Sequence, residues 1–314
     1  MSLPKLTIIG AGNVGATTAH LALLRGLGHL TLIDVVDGLA QGKALDLLQA
    51  AAIDGGAIDV IGTTDYAALT GSRLVVVTAG LARKPGMSRD DLLSANAAIV
   101  GGIAQHIAKF APEAIVLVVT NPLDVMTSLV LKETGFPRHR VLGMAGVLDS
   151  GRLKAFVAKE LKVSPSSVEA MVLGSHGDLM VPLARTIAVH GKPLATLVEA
   201  ATVARLMQRT RDGGAEIVAL LKQGSAYYAP ATSVIAMMEA ILKNTRRVLP
   251  ASVCLQGEYG LQDVCIGVPV ELDVTGARRI IEQPLTDDER SALLQAAEQV
   301  RQETAKLAAL TSAK

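Results

Sequence analysis

The first half of the chain alternates short apolar runs with longer segments in which apolar residues recur every three or four positions. The short runs predict β-strands, and the periodic segments predict amphipathic α-helices. Regular alternation of the two is typical of βαβ units on a parallel sheet. The predicted strands cover residues 6–9, 30–33, 58–61, 74–77, 115–119 and 141–142, and the predicted helices cover residues 14–24, 40–52, 90–110 and 123–133.

From about residue 145 the pattern changes to longer helical segments with fewer and less regular strands. We therefore expect an α/β fold, with a doubly wound parallel sheet over residues 1–145 and a second, α+β domain over residues 146–314. No linker rich in glycine, proline or serine separates the halves, so the two domains are expected to share a cleft. The predicted elements of the second half are a strand at 168–173 and helices at 151–161, 200–223, 234–244 and 291–310.

The composition excludes several classes of partner. Thirty basic and twenty-nine acidic residues leave a formal net charge of +1, which provides no broad electrostatic surface for nucleic acid or an anionic membrane. Half of the residues are hydrophobic, but the longest apolar stretch, residues 114–131, contains Asn121, Pro122 and Asp124 and cannot span a bilayer. We attribute the apolar surplus to a buried sheet and to subunit contacts, and expect a homodimer or a homotetramer.

The N-terminus passes directly into the first strand, without the succession of basic, apolar and small residues of a signal peptide, so a cytoplasmic location is expected. Cys254 and Cys265 are the only cysteines. Two thiols form neither a disulfide framework nor a metal cluster in a chain of this size, and we expect reduced packing residues. No metal site is predicted around His176 and Asp178, because no further ligand lies at suitable spacing.

A glycine-rich turn joins the first strand to the first helix. Gly10 permits the tight turn, Gly12 allows a pyrophosphate to approach the backbone, and Gly15 allows close packing of helix on strand. The free N–H groups at the helix N-terminus are suited to binding phosphates. These observations make the turn a candidate dinucleotide site, formed by Gly10, Ala11, Gly12, Asn13, Val14 and Gly15.

Asp34 ends the second strand nineteen residues beyond Gly15. A carboxylate at this place can accept hydrogen bonds from the hydroxyls of an adenosine ribose, and it repels a 2′-phosphate. NAD is therefore favoured over NADP, and the first domain is predicted to be of the Rossmann type. The alternative is a glycine turn followed by an ordinary aspartate at a strand end.

Two further segments follow predicted strands, at the sheet edge where doubly wound folds bind ligands. Asn121 either caps the helix that Pro122 is expected to begin or turns its amide towards a ligand. The candidate ligand-binding residues are Thr78, Ala79 and Gly80 after the fourth strand, and Val119, Thr120 and Asn121 after the fifth.

Arg83 and Arg89 lie in a segment broken by proline and glycine just after the fourth strand. A loop of this kind can close over a ligand and carry cations into a pocket, which favours a small anionic substrate. The alternative is a solvated basic loop, because exposed arginines are common.

His176 lies between glycines in a tight turn, which suggests an exposed imidazole available for proton transfer near neutral pH. Asp149 and Arg152 are one helical turn apart and share a face, so Asp149 could orient His176 while Arg152 binds a carboxylate. A surface ion pair between Asp149 and Arg152 is the alternative. Asp178 is a rival partner for His176, although its side chain is expected to point elsewhere.

These segments resemble the 2-hydroxy-acid dehydrogenases of the lactate/malate superfamily, and most closely the bacterial malate dehydrogenases whose sequences are similar to lactate dehydrogenases. The resemblance implies NAD-dependent, reversible oxidation of (S)-malate to oxaloacetate, a step of the tricarboxylic acid cycle. It covers nearly the whole chain and rests on residues 10–15, 41–47, 83–89, 121–124, 149–152, 174–178 and 224–230.

The resemblance also implies a role for each site residue. His176 would accept the hydroxyl proton with Asp149 behind it, and Arg152 would bind the C1 carboxylate. Arg89 would polarise the carbonyl, and Asn121 would contact both substrate and cofactor.

Arg83 takes the position that separates malate from lactate enzymes, and it can neutralise the second carboxylate of a dicarboxylate substrate. Asn96 matches an NAD contact of the family. A lactate dehydrogenase is the nearest alternative and is disfavoured by Arg83. NAD-dependent glycosidases need a Cys/His metal pair that this sequence lacks, and a non-catalytic NAD-sensing module would need neither His176 nor a closing arginine loop.

Overall fold

Six parallel strands form one half of a large sheet and confirm the expected doubly wound arrangement. The computed structural model describes residues 3–55, 58–81 and 88–312, without the side chains of Arg89, Thr311 and Ser312. The strands are β1 (Lys5–Ile9), β2 (His29–Ile33), β3 (Val60–Thr63), β4 (Leu74–Val77), β5 (Ile115–Val118) and β6 (Val141–Gly143). The spatial order β3-β2-β1-β4-β5-β6 reverses direction beside β1, and every neighbouring pair is parallel.

The helices of this half connect the strands. All residues of β4 and β5 are buried, which explains why these strands show continuous apolar sequence rather than alternation. The predicted elements agree with the structure to within about two residues, and the largest strand error is the third strand, which begins at Val60. The helices are α1 (Asn13–Leu24), α2 (Leu39–Asp54), α3 (Arg89–Phe110) and α4 (Leu123–Thr134).

The second half extends the same sheet with antiparallel strands. The strands are β7 (Val168–Glu169), β8 (Val172–Gly174), β9 (Met180–Pro182), β10 (Ala188–Val189), β11 (Lys192–Pro193), β12 (Arg247–Gln256), β13 (Gln262–Asp273) and β14 (Gly276–Ile280). The strand order of the large sheet continues β6-β12-β13-β8-β9, and β14 pairs with β13. A separate sheet has the order β11-β10-β7. The helices are α5 (Gly146–Leu161), α6 (Ala200–Leu221), α7 (Tyr228–Leu242) and α8 (Asp287–Ser312).

The expectation of few strands in this half is wrong. Its described residues contain eight strands, and β12 and β13 are the longest of the described strands in the chain. Pro250 lies opposite Pro269 in this pair, and prolines in an apolar run count against a strand because they lack an N–H donor. The strand predicted at 168–173 is two short strands in different sheets. Helix α5 begins before its predicted start, and so does α7, whose Pro230 lies in the first turn where proline is tolerated.

One large hydrophobic cluster joins the parallel strands to helix α7 and the β12–β13 hairpin, while a smaller cluster lies between α5, α6 and the small sheet. Because the sheet is continuous from β6 to β12, residues from both halves reach the same carboxyl edge of the parallel strands. Of the helices in the described part of the chain, none is long and apolar enough to cross a membrane.

Candidate active site

The glycine turn between β1 and α1 leaves the N-terminus of α1 open. Gly10 has φ +99°, and a Cβ on it would lie 2.6 Å from the Ala79 nitrogen, while a Cβ on Gly15 would lie 1.8 Å from the Gly10 oxygen. Gly12 has no such neighbour within 4 Å, and no side chain caps the helix end that it begins. The turn therefore requires glycine at two positions, and it presents unfilled space and free N–H groups at the third.

Asp34 contacts this turn directly. Its Oδ2 atom accepts a hydrogen bond of 2.7 Å from the Ala11 amide, and its Oδ1 atom accepts one of 3.0 Å from Val36. Each carboxylate oxygen has a second acceptor site. Asp34 is therefore part of the turn, unlike an ordinary strand-end aspartate, and it retains acceptors for a further ligand. Asn13 and Val14 form the first turn of α1.

The ends of β4 and β5 meet beside the turn. The Thr78 hydroxyl donates to the Gly10 oxygen over 2.9 Å, and the Thr120 hydroxyl donates to the Ala79 oxygen over 2.7 Å. Val119 donates its amide to Val77 over 2.9 Å. The candidate residues from these two strand ends thus lie together at one edge of the sheet.

Asn96 lies next to this edge of the sheet, and only 1% of the residue is exposed. Its Nδ2 atom donates to the Asn121 oxygen over 2.8 Å and to the Leu81 oxygen over 3.2 Å, and its Oδ1 atom accepts from the Leu81 amide over 2.7 Å. These bonds join the loops that follow β4 and β5. Both Nδ2 hydrogens are used, so a direct cofactor contact by Asn96, which stays a prediction, is limited to the second acceptor site of Oδ1.

Pro122 occupies the N-cap position of α4, and no side chain caps this helix end. The capping interpretation of Asn121 is therefore wrong. The Asn121 residue is exposed and lines a pocket of about 450 Å³ together with His176. Asn121 is thus placed where its amide can reach a ligand bound beside the imidazole.

Asp149 lies between the two other charged groups of the site. Its Oδ2 atom is 2.9 Å from Nδ1 of His176, and its Oδ1 atom accepts a bond of 3.1 Å from Nη1 of Arg152. The side chains of Asp149 and Arg152 are 2% and 13% exposed, so the surface-pair alternative is wrong. The imidazole is 15% exposed, and the expectation of an exposed ring is wrong as well, because α4 and α5 supply buried partners on two sides of the loop.

The loop that carries His176 is fixed by a second carboxylate. The His176 amide donates to Oδ2 of Asp124 over 2.9 Å, and the Ser252 hydroxyl donates to Oδ1 of Asp124 over 2.6 Å. Asp124 therefore links the histidine loop to strand β12. Sequence reasoning did not assign a role to Asp124, although an acidic residue among the apolar residues Leu123, Val125 and Met126 of the first helical turn was the available signal.

The carboxylates of Asp149 and Asp124 both act on the pKa of the His176 imidazole. Burial alone would lower the pKa of His176, but the charge and hydrogen bond of Asp149, with a contribution from Asp124, outweigh it and raise the pKa. Burial raises the pKa of Asp124 from 3.8 to about 6, against the hydrogen bonds from Ser252 and His176 that lower it. The site thus favours an imidazolium at His176 and disfavours a second buried negative charge.

Arg152 lines a neighbouring pocket of about 470 Å³ together with Gly213 and Ala229. Its Nε atom is buried and has no hydrogen-bond partner among the described residues. A guanidinium with one nitrogen bound to Asp149 and another unpaired can still bind an anionic group. Ala229 belongs to the segment 224–230, one of those on which the family resemblance rests.

Neither loop arginine has its side chain among the described residues. Arg83 lies among residues 82–87, outside the described residues. Arg89 is the first residue of α3, which Ser88 and Asp91 cap reciprocally, but the Arg89 side chain is also outside the description. Their roles remain predictions.

Two models of one protein family match most of the chain. The model of the lactate/malate dehydrogenase NAD binding domain matches residues 4–143, and that of the lactate/malate dehydrogenase alpha/beta C-terminal domain matches residues 146–311. A malate dehydrogenase from Methanosarcina barkeri is 50% identical over 95% of this chain and 97% of its own length.

Two solved structures have the same fold. The malate dehydrogenase from Picrophilus torridus in its apo form has a TM-score of 0.95 at 41% identity, covering 98% of each chain. The lactate dehydrogenase from Eimeria maxima with NADH and oxamate has a TM-score of 0.96 at 38% identity, covering 99% of this chain and 96% of that one. The chain belongs to the lactate/malate dehydrogenase family and is an NAD-dependent oxidoreductase. The family and fold expected from the sequence are confirmed.

Proposed function

We propose that the chain is a malate dehydrogenase that interconverts (S)-malate and oxaloacetate with NAD, as a step of the tricarboxylic acid cycle. The observation that carries the proposal is the Asp149 carboxylate, which contacts both His176 and Arg152. One buried carboxylate thereby joins a proton-transfer group to a carboxylate-binding group, and a 2-hydroxy acid needs both. The sequence similarity to malate dehydrogenases supports the same substrate class.

His176 is the proposed proton acceptor in malate oxidation. The neutral imidazole takes the hydroxyl proton at Nε2, while Asp149 holds Nδ1 and stabilises the imidazolium that results. Oxaloacetate reduction needs the opposite starting state, an imidazolium that donates its proton. Bound NAD supplies the hydride acceptor in oxidation, and its reduced form supplies the donor in the reverse direction.

The residues at the sheet edge fit this cofactor. Gly12 leaves space at an uncapped helix N-terminus, which suits a pyrophosphate, and Asp34 retains acceptors for ribose hydroxyls. The loops after β4 and β5 complete the proposed cofactor site, with Thr78, Ala79, Gly80, Val119, Thr120 and Asn121. Asn96 would act mainly by holding these two loops together.

Three arginines are proposed to hold the substrate. Arg152 binds the C1 carboxylate, which its unpaired Nε supports. Arg89 polarises the carbonyl, and Arg83 pairs with the second carboxylate; both assignments rest on the family resemblance. An unpaired carboxylate in a closed pocket would cost several kcal/mol, so a cation at position 83 decides between dicarboxylate and monocarboxylate substrates.

Lactate dehydrogenase is the second candidate, because the fold alone does not separate the two activities. A steady-state assay with NADH and a panel of 2-keto acids tests the proposal. We expect NADH oxidation with oxaloacetate. The absence of oxidation with every 2-keto acid would favour a non-catalytic NAD-binding module instead.

The role of His176 has its own test. We expect His176→Asn to lower kcat by about 10²- to 10⁴-fold while NADH still binds with near wild-type affinity. Fluorescence titration of NADH measures the binding, and stopped-flow measures the hydride transfer. Turnover at the wild-type rate would remove His176 from the proton transfer.

We further propose that the chain forms a homodimer or homotetramer in the cytoplasm. Large apolar side chains that are exposed on α2 and α6 support self-association: Ile53 is 90% exposed and Leu220 is 75% exposed. Light scattering of the purified protein measures the assembly. We also propose that the chain divides into domains at 1–145 and 146–314, because the two family models meet between residues 143 and 146.

A further inference from the structure

The only two cysteines of the chain face each other across the β12–β13 hairpin. Cys254 and Cys265 are direct partners in the antiparallel register, so their side chains project from the same face of the sheet. Both are free thiols. The proposed hydride transfer uses neither thiol, so the pairing of the two cysteines needs a separate explanation.

The register brings the two residues within reach of a covalent bond. Directly opposite residues of an antiparallel pair have Cα atoms about 4.5 to 5.5 Å apart, and disulfides span Cα distances of about 4.4 to 6.8 Å. Cβ atoms in such pairs are about 4.5 to 5.5 Å apart, which is wider than the roughly 3.8 Å of a relaxed disulfide. A bond formed here would therefore be strained and readily reduced.

The surroundings of the two thiols differ. Cys254 is partly exposed and lines a surface pocket of about 410 Å³ with Arg138 and Arg278, while Cys265 is 1% exposed. The hydrogen bond with Cys265, with a smaller contribution from Arg138, lowers the pKa of Cys254 and outweighs its burial and the charges of Asp263 and Glu258, which raise it. The same hydrogen bond and complete burial raise the pKa of Cys265. Cys254 is thus the accessible thiol and the better nucleophile, and Cys265 is its protected partner.

We propose that Cys254 and Cys265 are a redox modification site, at which hydrogen peroxide converts the dithiol to a reversible cross-strand disulfide. The Cys254 thiol first loses its proton to solvent, and the thiolate attacks one peroxide oxygen as the O–O bond breaks. The departing hydroxide takes up that released proton to give water. Cys254 is then a sulfenic acid. The Cys265 sulfur attacks the Cys254 sulfur, the S–S bond forms, and the S–O bond breaks. The second hydroxide leaves with the Cys265 proton as water, so two thiols are oxidised and one peroxide is reduced.

The position of the pair relates it to the histidine loop. Ser252 lies two residues before Cys254 on β12 and donates a hydrogen bond to Asp124. Gly267 lies two residues after Cys265 on β13 and pairs with Gly174 at the start of the histidine loop. A bond between Cys254 and Cys265 would join the two strands beside both supports of the loop.

Thiol labelling of the native protein tests the proposal. The full chain is treated with hydrogen peroxide under conditions in which circular dichroism shows the native fold. The chain is then denatured in N-ethylmaleimide and its intact mass is measured. We expect loss of both maleimide labels, a mass lower by two hydrogens than the reduced chain, and a peptide that links residues 254 and 265. Dithiothreitol should restore both labels.

Cys254→Ser and Cys265→Ser are the matched controls. Neither variant has a second thiol in its chain, so neither can lose two hydrogens within one chain. Two labels retained after peroxide treatment of the wild-type protein would overturn the proposal. Addition of oxygen to the thiols without a linked peptide, or a disulfide between two chains, would overturn it as well.

Discussion

Oδ2 of Asp149 lies 2.9 Å from Nδ1 of His176, and the Asp149 side chain is almost completely buried. A buried charge interacts strongly with a neighbouring charge, because little water screens the interaction. Asp149 therefore fixes the orientation of the imidazole and also raises its pKa.

We expect Asp149→Asn to lower kcat by about 10²- to 10⁴-fold and to shift the pH profiles. Removing the carboxylate removes the main effects that raise the pKa of His176, so this pKa falls. Malate oxidation needs the neutral imidazole, so the acid limb of its pH profile should move to lower pH. Oxaloacetate reduction needs the imidazolium, so the alkaline limb of its pH profile should also move to lower pH. Plots of log kcat/KM against pH in both directions measure the shifts.

Asp178→Asn is the control for this prediction. It makes the same change of charge two residues from the histidine, but among the described residues Asp178 accepts no hydrogen bond from His176. We expect its pH limbs to stay near those of the wild type. If Asp178→Asn moves them and Asp149→Asn does not, Asp178 is the partner of His176.

Asp124 should make folding stability depend on pH. Its pKa in the folded chain is raised from 3.8 to about 6, so folding favours the neutral carboxyl. This contribution to stability is complete below pH 3.8 and is lost as the pH rises through about 6. Relative to wild type, Asp124→Asn should gain about 2 kcal/mol in free energy of unfolding between about pH 4.5 and about pH 7.5.

Urea denaturation at the two pH values measures this difference in free energy of unfolding. Ser252→Ala is the matched variant, because it removes a hydrogen bond that lowers the pKa of Asp124 and keeps the carboxyl. Its stability should fall more steeply with pH than that of the wild type. A difference between Asp124→Asn and wild type that is the same at both pH values would contradict the raised pKa.

Asp34 should set the preference for NAD. In Asp34→Asn the side-chain oxygen can still accept from the Ala11 amide, but the negative charge is lost. We expect the ratio of kcat/KM for NADH to that for NADPH to fall by about tenfold or more, because the repulsion of the 2′-phosphate disappears. The exposed Asp37 provides the control variant Asp37→Asn. An unchanged ratio in Asp34→Asn would count against a ribose contact.

Arg83 should decide between keto acids. In Arg83→Gln the second carboxylate of oxaloacetate has no cation to pair with, whereas pyruvate has no such group. We expect the preference for oxaloacetate over pyruvate to fall by about 10²-fold or more in kcat/KM. Lys84→Gln, the neighbouring change of charge, should leave the preference near that of the wild type. Equal effects of the two substitutions would indicate a general electrostatic attraction.

The parallel half of the fold was predictable because its signals are local. Strands buried on both faces appear as apolar runs, and Gly10 and Asp34 mark the turn and the strand end. The hairpin of the second half was not predictable in the same way. Pro250 and Pro269 count against strands unless they are known to lie opposite each other, and that pairing is a property of the tertiary structure.

The candidate active site was also predictable only in part, where its signals are local in the sequence. Spacing alone put Asp149 and Arg152 on one helix face, and glycines marked the His176 turn. Asp124 was not assigned a role, because its bond to Ser252 joins residues 128 positions apart. The burial of the imidazole was missed for the same reason, since elements remote in sequence cover it.

The ratio of kcat/KM for oxaloacetate to that for pyruvate, measured with NADH on the wild-type protein, tests the central claim most directly. A site with cations for two carboxylates should give a ratio of about 10² or more in favour of oxaloacetate. A ratio near one, or a preference for pyruvate, would contradict the assignment as a malate dehydrogenase.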